Sequence, residues 1–232
     1  MPYRKLESEL KRETTGHPPS GGQSLLEVAI FFPILLMMLS GVVEFGFLLN
    51  GFLNLLDGPR EGARFAVSQQ PFTSIDYTTD MPDFYINISN EVKQAIKPMV
   101  LDPTRDDVVI SIFSVQGSTV NRYPNAGNLT GESVTDTTVG EWHLYGRGSG
   151  CTVDVDLDCH PSRFSNDAIA ARVTQTAVAN QPPAIGVVLV ELYYSYDQVL
   201  KLPWLAFIGD PVRLYTFTMM PVTGATPTQI PN

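Results

Sequence analysis

The sequence predicts an α+β protein in which one long N-terminal helix precedes a domain built on an antiparallel β-sheet. Two observations carry this prediction. Between Leu25 and Leu56 the only ionisable side chains are Glu27 and Glu44, and roughly 20 apolar residues are enough for a helix to cross a bilayer. After residue 68, runs rich in β-branched and aromatic residues alternate with helical patterns, which predicts a sheet packed with one or two helices.

These patterns divide the chain into three parts. We expect residues 1–22 to be a polar cytoplasmic leader, residues 23–67 a transmembrane and exit helix, and residues 68–232 an exported α+β domain with a frayed tail at 224–232. The leader contains four basic residues, whereas only Arg60 and Arg64 follow closely after the apolar run. This difference predicts a single-pass protein of the cytoplasmic membrane with its N-terminus inside and its C-terminal domain outside.

The apolar run is not typical of a cleaved secretory signal. Apolar sequence resumes after Glu44, and no small-x-small cleavage site interrupts it. A kink is expected at Pro33, because proline removes one backbone donor.

Charge and motif content exclude several functions. The chain has a net charge of −9, and from Ser68 onward 17 acidic residues stand against 9 basic ones. Nucleic acids and anionic lipid surfaces both demand clusters of Lys and Arg, so neither is expected as a partner. No phosphate-binding glycine motif or catalytic motif is present. We therefore expect neither a cofactor nor an enzymatic activity.

Four residues of the helix predict a contact with other helices. Gly46, Asn50 and Asn54 recur every four residues, and small or amide-bearing residues let helices approach and hydrogen-bond in lipid. Glu44 lies about 25 Å beyond Glu27 by helix rise, near the far interface, and is either solvated there or part of the same contact. Alternatively, the strip formed by Gly46, Asn50 and Asn54 belongs to a solvated exit helix that contacts water and no other helix.

The exported domain is predicted element by element. Residues 68–82 form a connector and residues 200–208 a crossover, and 120–140 is a long loop with an edge strand at its end. The predicted helices are 83–99 and 165–180, and the predicted strands are 108–115, 141–145, 185–196 and 212–219. The strand at 185–196 is the most apolar, which places it at the centre of the sheet.

The two cysteines are predicted to form a disulfide. Cys151 and Cys159 are eight residues apart in a domain expected outside the cytoplasm. The alternative is a zinc site with His143 and His160 as further ligands.

The acids between the cysteines, Asp154, Asp156 and Asp158, alternate with apolar residues. This pattern favours one solvated face of a strand. Calcium is the weaker alternative, because the EF-hand pattern would require Gly at Cys159 and Glu at Ser165.

The start of the helix has two interpretations. In one, Ser20 and Gln23 form a capping box and nothing is cleaved. In the other, Gly22 ends a leader and Glu27 becomes the fifth residue of the mature chain, an arrangement similar to that of prepilins.

A longer segment resembles a specific family. Its motifs resemble the N-terminus of TadE-like proteins, minor pilins or pseudopilins of the tight-adherence (Flp) pilus: GQSLLE at 22–27, Pro33, GVVEFG at 41–46 and REGARFA at 60–66. The strand with several tyrosines, the Pro-containing crossover and the last strand are also similar to the C-terminal pattern of that family. One departure, at residues 57–59, leaves open whether the helix continues unbroken to residue 67.

The resemblance implies a role in pilus assembly and a set of partners. A prepilin peptidase would cleave between Gly22 and Gln23, and Glu27 would register subunits by pairing with the Gln23 amine of a neighbour. The alternative for Glu27 is an acid that reaches the headgroup level at the membrane edge. The partners would be other pilins, pilus assembly proteins and the membrane, and the protein would enter a surface pilus or remain in the membrane. The alternative function is an uncleaved single-pass membrane protein that presents an extracytoplasmic binding domain.

Overall fold

A computed structural model describes residues 21–71, 82–116, 119–123, 140–146, 159–174, 184–204 and 209–222. These residues form three helices and five strands. In chain order they are α1 (Gly21–Val67), α2 (Pro82–Ala95), β1 (Asp107–Gln116), β2 (Thr119–Tyr123), β3 (Trp142–His143), α3 (Asn166–Thr174), β4 (Ala184–Tyr196) and β5 (Val212–Pro221). The predicted α+β class, with a long apolar N-terminal helix, is confirmed.

The strands form one antiparallel sheet in the order β2-β1-β4-β5. Strand β4 pairs with β1 on one side and with β5 on the other, so it is central, as its apolar composition predicts. Strands β2 and β3 pair with different parts of the same edge of β1.

The start of the predicted loop at 120–140 is wrong. Residues up to Tyr123 belong to β2, because Val120 to Tyr123 pair with β1 directly after the connection from its end. The edge strand predicted near the end of that loop cannot be compared, because residues 124–139 lie outside the described part of the chain.

Both predicted helices of the domain are present. Helix α2 ends at Ala95, four residues before the predicted end. The Ser165 hydroxyl accepts a hydrogen bond from the Ala168 amide at 3.2 Å, which is the N-cap geometry expected for α3. Residues 175–180 of that predicted helix lie outside the described part of the chain.

The sheet is buried on both faces. On one face, alternate residues of β1 and β4 pack against α2 and the second half of α1, among them Ile110, Val190, Ile88 and Leu55. On the other face, Phe113, Val115 and Leu189 pack with Phe164 and with Ile169 of α3. Burial on both faces explains why β1 and β4 are almost continuously apolar in sequence.

The chain separates into two compact units, of which the first ends at Glu44 and the second begins at Phe45. Helix α1 contributes to both. Its residues from Phe45 to Val67 are part of the unit that contains the sheet, and they supply one wall of its core.

Helix α1 packs very closely on α2 at two glycines. A Cβ atom at Gly58 would lie 2.7 Å from Ile96 Cγ2, and one at Gly62 would lie 2.6 Å from Val92 Cγ2. Both distances are too short for a real side chain, so only glycine permits this contact. Because Gly58 meets the end of α2 and Gly62 also approaches Ile88, earlier in α2, the two helices run antiparallel.

Pro59 does not interrupt α1. A proline lacks the N–H that would bond to the carbonyl four residues earlier, here that of Leu55. The hydroxyl of Thr216, on β5, donates to the Leu55 carbonyl oxygen at 3.2 Å. The carbonyl freed by Pro59 therefore joins α1 to the sheet, and α1 continues to Val67. The kink expected at Pro33 stays a prediction.

The Gly62→Ala substitution should destabilise the domain, because its methyl group would overlap Val92. We expect a loss of about 1–3 kcal/mol in the free energy of unfolding, the usual cost of overpacking a core. The measurement is denaturant unfolding of the full chain in detergent, followed by the near-ultraviolet circular dichroism of Trp142, which stacks on Tyr85.

Gly46→Ala is the matched control on the same helix. A Cβ at Gly46 meets nothing within 4 Å, so this variant should keep or slightly gain stability through helix propensity. Equal unfolding midpoints for the two variants would contradict the packing argument.

Candidate functional sites on the N-terminal helix and under residues 159–164

The predicted processing site lies in the first turn of α1. Gly22 is exposed, and a Cβ there would meet nothing within 4 Å. Gln23 follows within the same turn. Residues 1–20 of the predicted leader lie outside the described residues. Cleavage between Gly22 and Gln23 therefore stays a prediction.

Glu27 is an exposed acid on an apolar surface. Its neighbours Leu25, Leu26 and Val28 are 72%, 61% and 64% exposed. Within the part of the chain that the structure describes, Glu27 has no hydrogen bond or ion pair. A carboxylate at membrane depth costs roughly 2.5–3.5 kcal/mol on insertion scales. A favourable partner for this charge must therefore come from outside the described residues.

Helix α1 is long and apolar enough to cross a membrane. The candidate span begins at Ser24, and no residue of its most apolar window is buried. Length and composition thus agree with the predicted anchor.

The residues predicted for a helix–helix interface lie on different sides of α1. Glu44 is only 5% exposed, whereas Gly46 and Asn50 are exposed and Asn54 is half-buried. Residues two apart on a helix point about 200° apart, so Glu44 faces away from Gly46. It shares its face with Gly51, which is buried against Tyr196. The strip at Gly46, Asn50 and Asn54 remains accessible, and its role in an interface stays a prediction.

A second cluster of functional groups is buried on the face of the sheet opposite α1. His143 Nδ1 lies 3.0 Å from Asp107 Oδ2, and its Nε2 lies 3.3 Å from Glu141 Oε2. The other oxygen of Glu141 accepts from Arg122 Nη2 at 3.1 Å. All four side chains are at least nine-tenths buried. With His143 protonated, two cations balance two carboxylates.

Electrostatics favour the protonated form of His143. Burial by itself lowers the pKa of this imidazole, but hydrogen bonds to Asp107 and Glu141 outweigh it and raise the pKa to about 9. Burial raises the pKa of Glu141, yet the hydrogen bond from His143 and the nearby Arg122 hold it below its usual value. His143 is therefore protonated throughout the neutral pH range.

The carboxylates also bind the irregular segment that covers this face, residues 159–164. Glu141 Oε2 accepts the Ser162 amide at 2.8 Å, and Glu191 Oε1 accepts the Arg163 amide at 3.0 Å and the Tyr215 hydroxyl at 2.6 Å. A segment without regular secondary structure must find other acceptors for its buried N–H groups. The acids supply them, which gives the cluster a structural role.

Apart from His143, no residue of this cluster was predicted from the sequence. One signal was available: Glu191 is a lone acid inside an apolar strand, and a buried acid requires partners. Its partners come from other segments and could not be assigned by spacing.

The two histidines considered for zinc contact different groups, and the partners of His143 are Asp107 and Glu141. His160 stacks on Tyr193 with ring centroids 4.6 Å apart, and its Nε2 lies 2.8 Å from the Arg105 carbonyl oxygen. Among the described residues no group of three or more His, Cys, Asp or Glu side chains could hold a metal ion.

The remaining predicted residues around the cysteines lie in a segment that is not described. Cys159 is buried, but Cys151 and the acids Asp154, Asp156 and Asp158 lie outside the described residues. The disulfide is not supported by the described coordinates and stays a prediction.

The pKa of His143 predicts how stability depends on pH. A folded-state pKa of about 9, above the ordinary 6.5, contributes stability that is complete below about pH 6.5 and is lost as pH rises through about 9. We expect the free energy of unfolding to fall by up to about 3 kcal/mol across this range. Denaturant unfolding of the full chain in detergent at several pH values measures it.

The His143→Gln variant is the control, because it keeps a neutral hydrogen-bonding group and cannot titrate. Its stability should be lower at pH 6.5 and should change little up to pH 9. Wild-type stability that is constant or rises over this range would contradict the charge assignment.

Comparison with known proteins identifies a family that the N-terminal part of the chain resembles. No curated protein and no solved structure is significantly similar to this chain. The family model described as TadE-like protein matches residues 22–64. This range contains Gly22, Glu27, Glu44 and both close-packed glycines, so the resemblance predicted from the N-terminal motifs is confirmed: the chain carries a TadE-like segment in its long apolar helix.

Proposed function

We propose that this protein is a membrane-anchored minor pilin or pseudopilin that acts in the assembly of a tight-adherence type pilus or a related secretion apparatus. The observation that carries the proposal is Glu27. It is an exposed acid in a TadE-like helix, it is surrounded by exposed apolar side chains, and it has no partner among the described residues. A charge in this environment is well suited to a contact with another subunit.

The mechanism is geometric. Cleavage after Gly22 by a prepilin peptidase would give Gln23 a free amine, four residues and about 6 Å along the helix from Glu27. In lipid, an unpaired ammonium and an unpaired carboxylate are both costly. Pairing the amine of one subunit with the Glu27 of its neighbour removes both costs at a single axial offset, and so sets the stagger between helices.

The rest of the helix serves the same role. The accessible strip at Gly46, Asn50 and Asn54 offers small and amide-bearing side chains for lateral contacts with neighbouring pilins. The basic leader supports insertion with the N-terminus in the cytoplasm and the domain outside. Pilus assembly proteins are the expected further partners.

The proposal assigns assembly and not catalysis to this chain. The titratable cluster around His143 is buried, and its groups bind one another and the backbone of residues 159–164. This supports a scaffold role for the exported domain.

The mature chain should begin at Gln23. Intact mass of the protein extracted from membranes of cells that contain the pilus system tests this. Gly22→Val should block cleavage, because the site requires the smallest residue at the last leader position, whereas Gly21→Val should leave cleavage intact. A wild-type chain that still begins at Met1 would overturn processing and favour the uncleaved membrane protein with a binding domain.

Glu27→Ala should abolish incorporation into filaments while leaving membrane insertion intact. Removing a charge eases insertion, but it leaves the amine of the neighbour unpaired, at a cost of about 3–5 kcal/mol for a buried pair. We expect at least about a hundredfold loss of the protein in sheared pilus fractions. Glu61→Ala is the control, because Glu61 is an exposed acid on the same helix that pairs with Arg64 at the surface. Normal incorporation of the Glu27 variant would show that the pair is not needed.

A further inference from the structure

We propose that one end of the exported domain rests on the lipid headgroup layer and binds anionic phospholipid there, through Val100, Val199 and the lysines 93 and 97. The inference rests on the membrane span of the proposed function and adds a second, peripheral membrane contact to it. It starts from two apolar side chains that the fold holds in solvent: Val100 is 80% exposed and Val199 is 57% exposed.

Both valines lie at the end of the domain where α1 enters it. A Cβ at Gly51 of α1 would lie 3.6 Å from the Tyr196 ring and 3.9 Å from Met99 Sδ. Val100 directly follows Met99, and Val199 follows Tyr196 by three residues. Helix α2 runs antiparallel to α1, so its last turn also points toward this end.

The lipid-facing surface of α1 reaches the same level. Phe47, Leu49 and Leu53 are 46%, 45% and 54% exposed, and they bracket Gly51 in sequence. Exposed apolar surface therefore continues from the helix to the two loops. The interface of a bilayer would cover the apolar surface of the helix and that of the two loops at the same time.

The loops are held rigidly in this position. Arg105 donates two hydrogen bonds to the Asp197 carboxylate, at 2.7 and 2.6 Å, and so joins the loop before β1 to the loop after β4. Asp106 Oδ1 accepts the Ser195 amide at 2.7 Å. The valines are thus presented by a fixed scaffold, which lowers the entropy cost of inserting them.

A cavity beside Val100 provides the polar half of the site. It has a volume of about 190 Å³, its wall is mostly apolar, and Lys93, Lys97 and Tyr145 are among the residues that line it. Lys97 donates a hydrogen bond to Gln94 at 2.6 Å, and within the described part of the chain neither lysine forms an ion pair.

Long lysine side chains next to apolar surface suit phospholipid phosphates at an interface. Although the exported domain as a whole is acidic, the two acids in these loops, Asp102 and Asp197, both pair with Arg105, and Lys201 offsets the charge that remains near Asp197.

Photocrosslinking of the full chain in nanodiscs of equal amounts of phosphatidylcholine and phosphatidylglycerol tests the contact. A benzophenone amino acid is placed at Val100 or Val199, at Leu35 as a positive control in the apolar helix, and at Arg172 on exposed α3 as a negative control. We expect intact masses increased by one phospholipid at 35, 100 and 199, and no adduct at 172.

The possible results separate the two proposals. Adducts at 35 but not at 100 or 199 would overturn the headgroup contact and leave the membrane span standing. No adduct at 35 would overturn the span itself and with it this inference. Adducts at 172 equal to those at 100 would show non-specific labelling and would also overturn the contact.

The role of the two lysines is tested in the same nanodiscs by measuring which phospholipid becomes crosslinked to the benzophenone at position 100. We expect phosphatidylglycerol to be enriched roughly fivefold over phosphatidylcholine, the preference that about one well-placed lysine confers. The double variant Lys93→Gln/Lys97→Gln should bring this ratio close to one. Arg64→Gln, which removes one positive charge about 20 Å farther along α1 from Gly51, should not change it. An equal ratio in the wild type would overturn the anionic-lipid assignment.

Discussion

The close approach of α1 to α2 at Gly58 and Gly62 is the contact on which the rest of the domain depends. It lets Leu55, Ala63 and Ala66 of α1 enter the same core as β1 and β4. It also brings the Leu55 carbonyl, freed by Pro59, within reach of Thr216 on the sheet. These residues lie on the same continuous helix as the apolar span, so a single helix contributes to both compact units.

The two faces of the sheet are stabilised by different kinds of interaction. The face toward α1 is covered by two regular helices, whose backbone groups are already satisfied, so apolar packing is sufficient there. Part of the other face is covered by residues 159–164, whose amides need acceptors. Glu141 and Glu191 provide these acceptors, and His143 and Arg122 offset the charge that the buried acids bring. Such a cluster contributes little net stability compared with apolar packing, but it holds an irregular segment in one position.

Much of the fold follows from local patterns. The periods of α2 and α3 and the apolar runs of β1, β4 and β5 predict elements that the structure contains, because each pattern depends only on neighbouring residues. Strand β2 was predicted as the start of a loop, since residues 120–123 alternate too briefly and are followed by Asn, Gly and Thr. The ion cluster could not be predicted, because Asp107 and His143 are 36 residues apart and meet only through the pairing of β1 with β3.

The sequence by itself determined the apolar span, the position of Glu27 within it and the TadE-like motifs, because membrane insertion and a peptidase site depend on contiguous residues. Only the tertiary structure decided what residues 57–59 and Gly62 do. In sequence, Gly58-Pro59 is typical of a helix end. In the fold, α2 packs against α1 where Gly58 and Gly62 have no side chain. Thr216 of β5 donates a hydrogen bond to the Leu55 carbonyl, which Pro59 leaves without its helical partner. The outcome depended on partners that lie more than 25 residues away along the chain, and local propensity contains no information about them.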